Sequence, residues 1–354
     1  MSAGEESKSA PDTLLSLDKA GLAEHVVALG GKPFHGRIAR EQVLKHGVTD
    51  YAAMTSLPAT LREALAAELP ILSSREVDRS VARDATTKLL LGFPRGGGVE
   101  ATIETVHIPP SSPKSTKGAT LCVSSQVGCP VACPFCASGR LGLVRNLAAH
   151  EILEQYVRGR ALGDLSRSVV MGIGEPLLNF ENLTTALDAV HDEMGLGTRR
   201  ITVSTVGFPD RLRRAAESRP RFQLAISLHT PFDDQRDELV PAMKGTPIAD
   251  VIAAADHWFD VTGREVTYEY VLLGGDNDSV DHARALADRL WGKRCTVNLI
   301  PYNPVEGDTY RRPHAEDVDS FRQFLDDAGT VATIRWSRGL EGDAACGQLR
   351  VRHA

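Results

Sequence analysis

The chain has 354 residues, 42% hydrophobic and 24% charged. These are the proportions of a globular protein with about two ordinary domains, and they exclude wholesale disorder. No apolar run reaches the ~18 residues that cross a bilayer, and the start, Met1-Ser2-Ala3-Gly4-Glu5-Glu6, lacks the charged and apolar regions of a secretory leader. The expected compartment is the cytoplasm, with no membrane partner. Against 46 Asp and Glu, 40 Lys and Arg leave a net charge of −6, so any nucleic-acid contact has to come from a local patch.

The first eleven residues are small and polar and read as a frayed tail. From Thr13 to Leu72 the pattern is that of short helices. Asp18 is placed to cap, Ala39 to Leu44 is amphipathic, and Leu57-Pro58 opens a helix with Leu61, Leu65 and Leu69 on one face. Thr86–Phe93 and Val99–Ile108, joined across Pro94-Arg95-Gly96-Gly97-Gly98, predict a β-hairpin, and Pro109–Lys117 reads as an exposed loop.

Beyond that loop, β-rich segments alternate with helical ones. The expected strands are Ala119–Val123, Ser168–Met171, Ile201–Ser204, Gln223–Ser227, Val266–Leu272 and Thr296–Ile300. The helices are Ala148–Leu162, Asn182–Met194, Ile248–Val261 and Val280–Trp291, and Val331–Trp336 is a seventh β-like segment suited to an edge. Strands separated by helices call for a parallel α/β sheet, because parallel neighbours need crossover connections. Six units predict a partial (βα)6 barrel, with an open Rossmann-like sheet as the alternative. The expected division is a helical accessory domain at 1–75, a candidate for RNA contact, the hairpin and loop at 76–114, the core barrel at 115–341 and a C-terminal segment at 342–354 that carries Cys346.

Six cysteines, 122, 129, 133, 136, 295 and 346, fall in a chain without a leader, which disfavours structural disulfides. Three of them crowd into Gly128-Cys129-Pro130-Val131-Ala132-Cys133-Pro134-Phe135-Cys136. Thiolates spaced Cys-x3-Cys-x2-Cys on one loop suit a [4Fe–4S] cluster whose fourth iron has no protein ligand. Zinc would want a fourth Cys or His at similar spacing, and the nearest His is His150.

Other polar residues fall where such a barrel places its site, at the C-terminal ends of strands: Gly174 and Glu175, Ser204, Ser227, Leu228, His229 and Asn303. Gly174 permits close backbone approach, Glu175 accepts from an ammonium, and the hydroxyls and amide suit ribose or carboxylate. Taken alone, a Gly-Glu-Pro is a turn, a single His is a satisfied core residue, and Cys122, Cys295 and Cys346 are small buried hydrophobes. Between Arg199 and Arg221, seven arginines stand against Asp210 and Glu217; this is either a solvated barrel exterior or a contact for RNA.

The cysteine spacing, with an aromatic before the last cysteine, resembles the radical SAM superfamily. In that superfamily the open iron chelates S-adenosylmethionine (SAM), and reductive cleavage gives a 5′-deoxyadenosyl radical. The similarity extends to the RlmN/Cfr family of radical SAM RNA adenine methyltransferases. It is carried by the helical N-terminal domain, Ile103-Glu104-Thr105-Val106-His107-Ile108-Pro109, the stretch Leu121 to Cys129, Arg145-Asn146-Leu147, Met171-Gly172-Ile173-Gly174-Glu175-Pro176, Ser227-Leu228-His229, Asn298 to Pro304, and Ala345-Cys346-Gly347-Gln348-Leu349.

The resemblance implies that Cys129, Cys133 and Cys136 hold the cluster, and that SAM lies against Gly174, Glu175, Ser204, Ser227, Leu228, His229 and Asn303. It also implies that Cys346 takes a methyl group from one SAM, while a second yields the radical that abstracts hydrogen from that methyl. The resulting methylene radical adds to an adenine carbon that is not nucleophilic. Glu104 is then the proton acceptor, and Cys122 releases product through a transient disulfide with Cys346. The implied substrate is adenosine C2 in 23S rRNA and in tRNA, the implied electron donor a flavodoxin or ferredoxin, and the expected state a monomer.

The chain departs from the family pattern in three places. Ser138 stands where Thr is usual, the loop between Pro109 and Cys122 is longer, and Trp336-Ser337-Arg338-Gly339-Leu340-Glu341-Gly342 replaces a more basic version. The alternatives are C8 methylation, the antibiotic-resistance chemistry of the same family, a non-catalytic iron–sulfur RNA-binding protein, and a zinc-binding module.

Overall fold

A computed structural model of the chain describes residues 13–94, 101–110, 112, 118–140 and 142–350; the tail, the hairpin tip and most of the Pro109–Lys117 loop lie outside them. Three helices open the chain: α1 (Lys19–Ala28), α2 (Pro33–His46) and α3 (Ala59–Glu68). Asp18 caps α1 by accepting from the Gly21 N–H at 2.7 Å. Pro33 starts α2, Gly47 ends it in the left-handed region, and α3 buries Leu61 and Leu65.

Of these, α2 packs on α4 (Ala149–Arg160) and α5 (Phe180–Met194), and one apolar core runs from Leu22, Val43 and Leu65 into the barrel residues. Two buried charged groups fix the join. Arg40 pairs with Glu193 at 2.8 Å and donates to the Leu17 carbonyl at 3.0 Å. The carboxylate of Glu154, fully buried, accepts the N–H groups of Ser73 and Ser74 at 2.7 and 2.8 Å.

The main sheet has ten strands, and its spatial order follows the order of those strands along the chain. The first three, β1 (Arg75–Val81), β2 (Thr87–Phe93) and β3 (Ala101–Ile108), are antiparallel, and β3 pairs antiparallel with β4 (Ala119–Cys122). The expected hairpin is therefore continuous with the barrel sheet, and β1 extends it. β1 escapes sequence reading because Arg75-Glu76-Val77-Asp78-Arg79-Ser80-Val81 is mostly exposed and polar, with no apolar alternation to mark it.

A separate two-stranded ribbon, β5 (Gln126–Gly128) with β6 (Leu143–Asn146), precedes α4. The parallel portion then continues through β7 (Leu165–Val170), β8 (Ile201–Thr205), β9 (Gln223–Ser227), β10 (Val266–Leu272), β11 (Cys295–Pro301) and the edge strand β12 (Ala332–Ile334). The helices between them are α5, α6 (Pro209–Glu217), α7 (Asp233–Leu239), α8 (Ile248–Thr262), α9 (Val280–Leu290) and α10 (Ala315–Asp327).

The order never reverses, so the sheet has no switch point of the Rossmann kind. Residues near the ends of β7 to β11 line one cavity, which shows that the sheet is curled into a partial barrel. Along β10 the alternation is clear: Glu269 and Val271 face that cavity, while Tyr270 packs its ring 5.2 Å from Phe321 on α10.

Candidate functional site

The cysteine loop is held at its base by the β5–β6 ribbon, in which Gln126 pairs with Asn146, Val127 with Arg145 and Gly128 with Leu143. Gly128 has φ 77°, and a Cβ there would lie 1.9 Å from the Gly142 carbonyl oxygen; the close approach and the left-handed backbone both require glycine. Gly128→Ala should cost ~3 kcal/mol of stability and lower the iron held per chain after reconstitution. Unchanged unfolding and iron content would refute that role.

All three loop cysteines face one cavity, lined also by Gly174, Glu175, Ser204, Ser227, His229, Asn303 and Cys346. Burial raises their thiols, Cys129 to about 12, Cys133 well above the usual value and Cys136 upward, so a bound metal must displace their protons. Among the described residues no three His, Cys, Asp or Glu side chains converge on a single-ion position. A cubane cluster needs no such convergence, because each thiolate takes a different iron. Three soft thiols on one loop facing a largely apolar cavity fit such a cluster.

The Glu175 carboxylate is 2% exposed. It accepts the N–H of Leu177 at 3.0 Å, the N–H of Val206 at 2.9 Å and the Thr205 hydroxyl. Burial pushes this carboxyl above the usual range, against the lowering by those donors. Three of its four acceptor positions are filled from within the protein, so it ties the end of β7 to the end of β8 as well as facing the cavity. The Glu175 N–H donates to Gln126 Oε1 at 2.7 Å, which couples this turn to the cysteine loop. Ser204 and Ser227 lie hydroxyl to hydroxyl at 3.3 Å. The side chain of Leu228 belongs to the core and does not line the cavity; its N–H donates to the Glu269 carbonyl.

His229 adopts φ 67°, a left-handed conformation rare for a side chain of its size. Asn277, unforeseen in the sequence, braces it by donating to the His229 and Val271 carbonyls at 2.7 and 2.8 Å. His229 Nδ1 accepts from the Val271 N–H at 3.2 Å, and the ring meets Phe135 edge-on at 5.0 Å.

Burial, with Arg236 nearby, lowers His229 from 6.5 to about 3. The folded chain therefore keeps it neutral where the unfolded chain protonates it, and stability is lost as pH falls through that interval. Relative to His229→Asn, which tolerates the same backbone, the parent chain should lose ~1.4 kcal/mol per pH unit between about pH 6 and pH 4. Parallel urea-unfolding curves for the two proteins over that range would contradict this. Arg236 is itself 1% exposed and donates to the Val206 and Ser227 carbonyls at 2.7 and 3.3 Å. Burial lowers it to about 10, opposed by the Cys133 thiol.

Cys346 lines this cavity and also a second one, whose lining includes Cys122; Met171 and Leu349 share both linings. Both thiols are free. Burial raises Cys122 to about 12 and Cys346 to about 11, and in each case Arg335 opposes the rise.

The C-terminal segment is clamped at several points. Asn303 Nδ2 donates to the Cys346 carbonyl at 3.0 Å, Ala137 N–H to Gly347 at 2.8 Å and Gln348 Nε2 to Pro304 at 2.9 Å. The Ser138 hydroxyl donates to Leu349 at 2.6 Å, a bond for which Ser serves as well as Thr.

Glu104 is not brought to either cavity. It is 1% exposed and ion-paired with Lys88 at 3.1 Å, and it accepts the Arg350 N–H at 2.9 Å beside a separate polar pocket. The arginine-rich stretch is partly neutralised by neighbours. Arg221 pairs with Asp188 and Asp192 at 2.8 and 2.7 Å, and Arg213 with Asp210 at 3.3 Å; the acids on α5 lie outside the stretch and do not show in its local charge.

A curled parallel sheet with a three-cysteine loop after its first barrel strand defines a radical SAM enzyme, and the radical SAM superfamily model matches residues 123–287. The ribosomal RNA large subunit methyltransferase N-terminal domain model matches residues 13–71. Two curated relatives, each named probable dual-specificity RNA methyltransferase RlmN, come from Parasynechococcus marenigrum and Synechococcus sp. The first is 44% identical over 96% of this chain and 98% of its own length, the second 43% identical over 97% of each. The crystal structure of a radical SAM methyltransferase from Sphaerobacter thermophilus superposes with a TM-score of 0.87 at 41% identity, covering 96% of this chain and 99% of that one. The chain belongs to the RlmN family of radical SAM methyltransferases.

Proposed function

We propose that this chain methylates C2 of an adenosine in 23S rRNA, and in tRNA, by way of an S-methylated Cys346. The observation that carries the proposal is that Cys346 is common to two cavities, one with the three loop cysteines and the strand-end polar groups, the other with Cys122. A residue that takes a group up on one side and hands it on at the other has to face both. The target adenine leaves its stack to enter, as chemistry on a base requires.

In this reading Cys129, Cys133 and Cys136 hold the [4Fe–4S] cluster. Gly174, Glu175, Ser204, Ser227, the Leu228 backbone, His229 and Asn303 orient SAM. When bound, cluster and SAM supply a methyl group and a 5′-deoxyadenosyl radical. The Cys346 sulfur takes the methyl group; after loss of one hydrogen atom the carbon on that sulfur adds to adenine as a radical, and the odd electron of the adduct passes back to the flavodoxin or ferredoxin that supplied it. The Cys122 thiolate then attacks the Cys346 sulfur; the bonding pair stays with the methylene carbon, which takes a proton from solvent to become the methyl group, and the disulfide left behind is reopened by a reductant. Glu104 accepts the proton from the adenine carbon; the Arg350 N–H and Lys88 now occupy its oxygens, so that step requires the 342–350 segment to move aside. The protein acts as a cytoplasmic monomer and takes electrons from a flavodoxin or ferredoxin.

The test is anaerobic incubation of the reconstituted protein with SAM, reductant and unmodified 23S rRNA, followed by nucleoside analysis against standards. The expected product is 2-methyladenosine. An 8-methyladenosine peak would overturn the position while keeping the chemistry, and cofactor cleavage without methylated adenosine would overturn the substrate.

A further inference from the structure

Trp336 is 51% exposed, although burial of so large a ring is favourable. It follows β12 at the lining of the second cavity, the one that holds Cys122 and Cys346. The Arg312 guanidinium lies 5.7 Å from its ring centroid, and among the described residues the ring makes no other aromatic or cation contact. Arg312 also donates to Asn303 Oδ1 at 3.0 Å, and Asn303 holds the Cys346 carbonyl. The ring is therefore tethered to the methyl carrier through two hydrogen-bonded side chains.

Charge points the same way. Arg167, Arg335 and Arg338 line this cavity, and among the described residues no carboxylate does. Arg338 is neutralised by Asp84 at 3.0 Å. Among the described residues Arg335, which donates to the Met171 sulfur at 3.1 Å, makes no ion pair, but its charge acts on the buried Glu269 carboxyl; exposed Arg167 has neither a side-chain hydrogen bond nor an ion pair. A surface that offers one open aromatic face and the uncompensated guanidinium of Arg167 suits a polyanion carrying flat, unpaired bases.

We propose that Trp336 and Arg167 form a nucleotide subsite at the second cavity. There Trp336 stacks on an unpaired base next to the reacting adenosine, and Arg167 meets backbone phosphate. This rests on the reading of the chain as an RNA methyltransferase. It gives the departure at Trp336 a role in choosing substrate: affinity at this rim comes from stacking, which is weakly dependent on salt, in place of added charge.

The experiment compares the reconstituted holoenzyme with Trp336→Ala, Trp336→Phe and Arg167→Gln, using an unmodified 23S rRNA fragment. RNA dissociation constants, KM and kcat, and SAM cleavage in the absence of RNA are measured, with iron content and thermal unfolding as folding controls. Trp336→Ala should weaken RNA binding by about 10- to 100-fold and raise KM, Trp336→Phe should restore most of it, and cleavage without RNA should be unchanged. Arg167→Gln should reduce the slope of log Kd against log salt by about 0.7. RNA binding by a folded Trp336→Ala within twofold of the parent, with the parent active, would overturn the subsite alone. A parent that neither binds nor methylates the RNA would overturn the methyltransferase reading and the subsite with it.

Discussion

Cys346→Ala should reduce RNA methylation by on the order of 10⁴-fold or more, as loss of an obligatory nucleophile does, while the iron content and SAM cleavage persist. The geometry explains why the losses separate. The three loop cysteines are held by the β5–β6 ribbon and by the Gln126–Glu175 contact, none of which needs the Cys346 side chain. The tether from Asn303 goes to the Cys346 carbonyl, which alanine keeps. Cys346→Ser should be as inactive, because an alkoxide is far less accessible than a thiolate. The measurement is methyl incorporation into RNA beside 5′-deoxyadenosine release from the same sample. Parental methylation by the alanine variant would remove Cys346 from the mechanism.

Cys122→Ala should have the second largest effect and a different signature. Cys122 lines the second cavity together with Cys346 and does not line the first, which suits a group that acts after the methyl carbon has joined the base. Without that thiol the adduct has no leaving route, so RNA should stay covalently attached to Cys346, approaching one RNA per chain. Steady-state turnover should fall on the order of 10³-fold. A denaturing gel with labelled RNA reads the adduct, and reduction should not release it, because the bond is carbon to sulfur. Free methylated RNA at the parental rate would rule out the disulfide step.

Much of this was legible in the sequence. The parallel strands show as short β-rich segments between helical ones, with Ile201 and Val203 of β8 and Leu224, Ala225 and Ile226 of β9 buried. The cluster loop shows because three cysteines on one loop are rare in a chain of this kind. What stayed hidden depends on long-range geometry. The ribbon around the cysteine loop is only three and four residues long, too short for any period. That Glu175 spends most of its acceptor capacity on Thr205, Val206 and Leu177 follows from strand adjacency. Asn277 looks like an ordinary turn residue until it is seen beneath His229. The placement of Glu104 away from the cysteine pair depends on Lys88 and Arg350, far from it in sequence, and the neutralisation of Arg221 on acids of a neighbouring helix.

The central claim is that the methyl carbon passes through Cys346 and loses a hydrogen there. It is tested most directly by supplying SAM with a fully deuterated methyl group and weighing the methyladenosine formed. Passage through a thioether that gives up one deuterium predicts a product methyl with two deuteriums and one hydrogen. A product that keeps all three would mean direct displacement from SAM to RNA, and would contradict the account.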